Sequence, residues 1–153
     1  MGALPQPEGA TLRQRHAGKA EGRLLGTNLS LLCASLGTPF SPDYRQALLV
    51  LEDVGEQLHR LDRMLTQLRN AGVLRRLSGL ILGAFTRCVP NDRTRPFLSQ
   101  TEIFADLLEW CPQPAVDRFA FGHVATKVTI PLGCLARLDA DRGRLEVIDT
   151  AVS

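Results

Sequence analysis

Ala47-Leu48-Leu49-Val50-Leu51-Glu52-Asp53 and, further on, Leu80-Ile81-Leu82-Gly83-Ala84-Phe85 decide how this chain is read. Each opens on an uninterrupted apolar run too short for a helix, which suits a strand buried on both faces of a sheet. Two acids, Glu52 and Asp53, follow the first run directly. Between the runs, Leu58, Leu61, Leu65 and Leu68 share one helical face, Arg60, Arg63, Gln67 and Arg69 lie elsewhere, and Gly72 follows as a stop. The whole reads as a strand-helix-strand unit whose crossover helix covers the sheet.

On the amino-terminal side, residues 18–26 form a short strand-like run. Asn28 is placed to cap a helix carrying Leu29, Leu32, Cys33 and Leu36, and Thr38-Pro39 breaks it. Before that, Pro5, Pro7 and Gly9 interrupt a stretch with no period of two or 3.6. We expect residues 1–17 to be a flexible lead-in or linker stump and residues 18–153 to form one domain. On the carboxyl-terminal side, Ser99 stands three before Glu102 in a capping-box pattern ahead of Ile103, Phe104, Leu107 and Leu108, and that helix should stop before Pro112. Residues 115–121, 127–130, 134–139 and 144–149 read as short strands, with Asp141-Arg142-Gly143 as a hairpin loop. An alternating βαβ half followed by a β-rich tail predicts an α/β domain with a mixed sheet.

With 44% hydrophobic and 22% charged residues, the 153-residue chain suits one globular domain with a sizeable core. Its 18 basic and 16 acidic residues are interspersed, so the +2 net charge offers no footprint for nucleic acid or for an anionic membrane. No apolar run is long enough to span a bilayer, and the start lacks the apolar core of a secretory signal. A cytoplasmic protein with reduced thiols is therefore expected. Cys33, Cys88, Cys111 and Cys134 are far apart, with no CxxC pair and no metal-ligand spacing, so neither a metal nor a cofactor is expected.

No nucleophile elbow, dinucleotide loop, phosphate loop or zinc helix is present, which leaves three histidines and a few strand-end carboxylates. His16 falls in the lead-in and His59 on the polar side of the leucine-spaced helix, so both read as solvent-exposed. His123 follows Phe119-Ala120-Phe121-Gly122, an apolar strand end with a glycine that lets backbone approach closely. Taken alone, that segment fits a buried histidine bonded to a carbonyl better than it fits a working one. Glu52 is equally two-sided. A carboxylate before a helix also stabilises the positive end of its dipole, a part that Asp53 and Glu56 can take instead. A base histidine needs an acceptor fixed on its second nitrogen, and a strand-end glutamate can supply it.

Several segments in order resemble the LD-carboxypeptidase family: Gly22-Arg23-Leu24-Leu25-Gly26-Thr27-Asn28-Leu29-Ser30, Gly37-Thr38-Pro39, Leu51-Glu52-Asp53-Val54-Gly55-Glu56 and Leu61-Asp62-Arg63-Met64-Leu65-Thr66-Gln67-Leu68. Ser78-Gly79-Leu80-Ile81-Leu82-Gly83, Phe121-Gly122-His123 and Ile130-Pro131-Leu132-Gly133 continue the likeness, which runs from about Gly18 to Val147. The resemblance implies a swivelling β/β/α-type domain, the carboxy-terminal half of a cytoplasmic serine peptidase. Such enzymes remove D-alanine from murein tetrapeptides in cell-wall recycling, and relatives act on microcin C. It also implies a Ser-Glu-His triad in which Glu52 and His123 are the glutamate and histidine and an amino-terminal domain carries the serine. Ser30, Ser35, Ser41, Ser78 and Ser99 match no nucleophile motif. The implied partners are a murein peptide, that serine-bearing domain and, since members commonly dimerise, a second copy.

Where the family has Gly-Gly-Asn, this chain has Gly26-Thr27-Asn28, so a positive φ there would strain Thr27. Either the loop has shifted or the glycine is not required. A reading from another class is a non-catalytic remnant or interaction module that keeps the fold. The sequence upstream of Met1 separates the two, because only the enzyme needs a serine domain there.

Overall fold

The structure is a computed structural model that describes residues 2–8 and 11–149. The central parallel strands are β3 (Lys19–Asn28), β4 (Ala47–Val54), β5 (Gly79–Thr86) and β6 (Ala115–Asp117). They are joined through α1 (Leu29–Ser35), α2 (Leu58–Asn70) and α3 (Gln100–Glu109). Four antiparallel strands complete the described sheet: β1 (Gly2–Ala3), β2 (Arg13–His16), β7 (Leu135–Asp139) and β8 (Arg144–Val147). The order is β1-β8-β7-β3-β4-β5-β6-β2, an α/β domain with a mixed sheet.

The runs that opened the reading are the centre of that sheet. Residues 47–53 of β4 are buried without a break because the strand is covered on both faces. Leu49, Leu51, Leu80 and Leu82 face the helices, where Leu29 and Leu32 of α1, Leu58, Leu61, Leu65 and Leu68 of α2, and Ile103, Phe104, Leu107 and Leu108 of α3 pack on them. Leu48, Val50 and Ile81 face the other way, into a second cluster with Leu24, Val116, Phe119, Ala136, Leu138 and Leu145. Both helix caps read from the sequence form. The Asn28 side chain accepts from Leu31 N–H, and Ser99 with Glu102 makes the full capping box.

Two expectations change. The lead-in contributes strands: β1 pairs with β8, and β2 pairs with β6. Arg13-Gln14-Arg15-His16 has no apolar alternation because ion pairs rather than apolar burial hold it. The buried Asp117 carboxylate accepts from Arg13 Nε at 2.9 Å and from Arg15 Nη1 at 3.0 Å. The same segment reaches toward the other end of the strand order, where Gln14 Nε2 donates to Asp141 Oδ1, in the turn between β7 and β8, at 2.9 Å. The two ends of the sheet thus approach each other around the second core.

The second change is that residues 127–130 form no strand; among residues 118–134 there is no regular element at all. Arg118, at φ 64°, turns the chain out of β6, so the strand ends at Asp117 rather than at Phe121. Val128 and Ile130 still pack on the second core as part of an irregular covering layer. Of the two alternatives for Thr27, the second holds: the residue lies in β3 opposite Leu51 and is not among the positive-φ residues. The glycine at that position is not required for backbone reasons.

Candidate active site

Glu52 and Asp53 lie within β4 rather than after it, and the register with β5 slips between Leu51 and Asp53. The extra residue lies in β5, which advances three residues, Leu82 to Phe85, against two of β4, so ordinary strand alternation sets the sides that the β4 residues face. Leu51 faces the helices, Glu52 the opposite side, and Asp53 returns to the start of α1. Asp53, 2% exposed, accepts from Asn28 Nδ2 at 2.8 Å, Ser30 Oγ at 2.8 Å, Ser30 N–H at 3.1 Å and Val54 N–H at 2.7 Å. It is therefore occupied in fixing the first turn of α1, the helix before it in sequence and not the one after, and this frees Glu52 for another task.

Glu52 is 4% exposed and meets His123, 71 residues away in sequence. The imidazole Nδ1 lies 2.8 Å from Glu52 Oε2, and the His123 backbone N–H donates to the same oxygen at 3.3 Å. The carboxylate accepts, so the contact places the ring proton on Nδ1 and leaves Nε2 as the basic nitrogen. The side chains differ in setting: that of Glu52 is 5% exposed and that of His123 57%. An imidazole held in one tautomer by a buried carboxylate, with its own side chain more than half exposed, is equipped for proton transfer to an approaching group. It sits at the carboxyl ends of β4 and β5, where ligands of α/β sheets gather.

β5 holds the loop that brings His123. Phe119 N–H donates to Leu82 O at 3.2 Å, Ala84 N–H to Phe121 O at 2.8 Å, and Thr86 Oγ1 to His123 O at 3.3 Å. Alternate residues of β5 thus grip alternate residues of the loop, and the third contact is made by a side chain because β5 ends at Thr86. Gly83 allows the approach, since a Cβ there would lie 2.7 Å from Phe121 O. Thr86 carried no signal of its own, and Gly83 carried only the hint of a glycine inside an otherwise apolar strand, where it often marks close backbone approach.

The remaining candidates fall elsewhere. His16 is half-buried rather than exposed, with Nδ1 2.8 Å from Cys111 O, a structural contact that holds β2. His59 is exposed on α2, beside Asp62 and Phe97 in a separate surface pocket. The serines with hydrogen bonds away from His123 include Ser30 on Asp53, Ser35 on Leu32 O and Ser99 on Glu102. Burial, with a smaller contribution from Asp53, pushes the Cys33 thiol up to about 11, and burial alone does the same for Cys111, which suits neither to act as a nucleophile. Among the described residues, no three of His, Cys, Asp and Glu stand together as a metal site, and no helix is long and apolar enough to cross a membrane.

Residues 21–138 match the LD-carboxypeptidase C-terminal domain. A Streptomyces coelicolor protein provisionally named a carboxypeptidase is 46% identical over 129 residues, covering 84% of this chain and 40% of that protein. The murein tetrapeptide carboxypeptidase of Pseudomonas aeruginosa is 35% identical over 132 residues, covering 84% of this chain and 41% of its own length. Among solved structures, muramoyltetrapeptide carboxypeptidase from Oxalobacter formigenes superposes with a TM-score of 0.78 at 30% identity, covering 90% of this chain and 48% of that one. The chain belongs to the LD-carboxypeptidase family, within which it corresponds to the C-terminal domain. It spans about two fifths of the length of the curated relatives it matches.

Proposed function

We propose that this chain supplies the glutamate and histidine of a Ser-Glu-His triad that hydrolyses the L-to-D peptide bond of murein tetrapeptides and releases D-alanine inside the cell. The observation that carries the reading is the 2.8 Å contact between Glu52 Oε2 and His123 Nδ1. The serine comes from the region of the relatives that this chain does not span, and its hydroxyl approaches Nε2. His123 takes that proton as the oxygen attacks the scissile carbonyl, then returns it to the nitrogen of the departing D-alanine. Water repeats the sequence on the acyl-enzyme, with His123 again as base, and frees the serine. Glu52 holds the ring and stabilises the imidazolium between these steps.

The murein substrate rests on the names of the relatives, and the division of labour rests on the position of the pair at an exposed edge. The test measures D-alanine release from a murein tetrapeptide by this chain, by the serine-bearing domain of a relative, and by the two together after complex formation is verified. Release by the mixture alone supports the reading. Release by the unmixed chain means that a nucleophile has been overlooked, and a verified complex without activity favours an interaction module that has kept the fold.

A further inference from the structure

We propose that Gly122 is a positioning residue for His123, a role that rests on the catalytic reading of the Glu52–His123 pair. The glycine has φ 112°, a conformation that residues with a Cβ rarely adopt. Its surroundings narrow the reason further. A Cβ at this position would lie 2.6 Å from Glu52 Oε2, 2.8 Å from Glu52 Cβ and 2.9 Å from Glu52 Cγ. All three of the nearest atoms belong to the one side chain that His123 engages.

Oε2 is not free to swing aside, because it is the atom that accepts from both the ring and the backbone N–H of His123. Glu52 Cβ has no such freedom, because β4 is paired on both sides, with β3 and with β5. Any side chain at residue 122 therefore moves the loop away from β4, and His123 moves with it. The backbone of Gly122 serves as the floor on which the Glu52 side chain lies, and the bare Cα sets how closely the histidine approaches.

The role is separable from loop shape. A glycine needed only for its φ costs the same when replaced, whatever stands at residue 52. A glycine needed for contact with Glu52 costs less once that side chain is gone. The ring gives a second readout: on a carboxylate the proton sits on Nδ1, whereas a neutral imidazole without such a partner favours the Nε2–H form.

The experiment compares the chain with its Gly122→Ala, Glu52→Gly and Glu52→Gly/Gly122→Ala variants, reading the His123 tautomer by long-range ¹H–¹⁵N spectra and the melting midpoint by circular dichroism. We expect the Nδ1–H pattern in the starting chain and a predominantly Nε2–H pattern in a folded Gly122→Ala. We also expect Gly122→Ala to lower the midpoint by about 5 °C or more, and by less than half as much in the Glu52→Gly background. If Gly122→Ala does not fold, recovery of a cooperative melt in the double variant supports the proposal. A Nδ1–H pattern that survives Gly122→Ala overturns it, as does an equal loss in both backgrounds. Failure of the catalytic reading has a different signature, D-alanine release that persists after His123→Ala, which leaves the tautomer result untouched.

Discussion

The unit from β4 through α2 to β5 and the loop of residues 118–134 each carry one member of the Glu52–His123 pair, on opposite terms. Glu52 stands in a buried strand with paired neighbours on both sides and is fixed by the scaffold. His123 stands on irregular backbone, with an exposed side chain; three contacts to β5 hold its loop, one of them at His123 itself, and Glu52 holds its ring. The buried carboxylate is the fixed reference, and the histidine is brought to it by hydrogen bonds and by two glycines that permit close approach. A pair divided in this way places its acceptor where water is excluded and its imidazole where a partner can reach it.

Leu65→Ala breaks the scaffold side of this comparison. Leu65 is 3% exposed among the helix-side core residues, so the substitution should cost about 2 to 5 kcal/mol by denaturant unfolding. Glu52→Gln preserves shape and an acceptor, and should shift the midpoint little. The reverse order would mean that the site has been mistaken for the scaffold. Asp117→Ala probes the edge that the lead-in closes. It removes the acceptor for Arg13 and Arg15, and we expect a loss of about 1 to 3 kcal/mol with faster amide exchange in β2. Unchanged protection there would show that the ion pairs do not hold the strand.

On the loop side, Thr86→Val removes the hydroxyl that reaches His123 O and should cost about 0.5 to 1.5 kcal/mol, while Thr86→Ser should recover most of it. Equal losses would assign Thr86 to packing. The smallest expected effect is chemical. With Cys33 and Cys111 pushed up to about 11, few of these thiols are thiolates at pH 8, so the folded chain should alkylate them more slowly than the urea-unfolded chain does. Equal rates would contradict their burial.

The same contrast explains what was legible in the sequence. The strand-helix-strand unit announced itself because burial on two faces demands continuous apolar runs, and a covering helix demands leucines at helical spacing. Asn28 and Ser99 were readable because capping is local chemistry. β2 was not, because its stabilising partner, Asp117, lies about a hundred residues away and its own residues are polar. Residues 127–130 misled for the opposite reason: Val128 and Ile130 are apolar to cover the second core, which an irregular segment does as well as a strand. Glu52 and His123 were nameable through the family resemblance, whereas their periodicity left both open. Strand alternation turns Glu52 and Asp53 to opposite sides, whereas the bulge in β5 opposite them depends on cross-strand register, which no local pattern records.

In the proposed function, Glu52 fixes His123 for proton transfer from a serine outside this chain. The most direct test of that function is the rate of D-alanine release from a murein tetrapeptide by the complex of this chain with a serine-bearing domain, measured for the starting pair, for Glu52→Gln and for His123→Ala, with complex formation verified for each. We expect His123→Ala to abolish release and Glu52→Gln to lower it by ~10⁴, the effect of leaving a triad histidine in the wrong tautomer. A verified complex that keeps its rate after either substitution would contradict the proposed function.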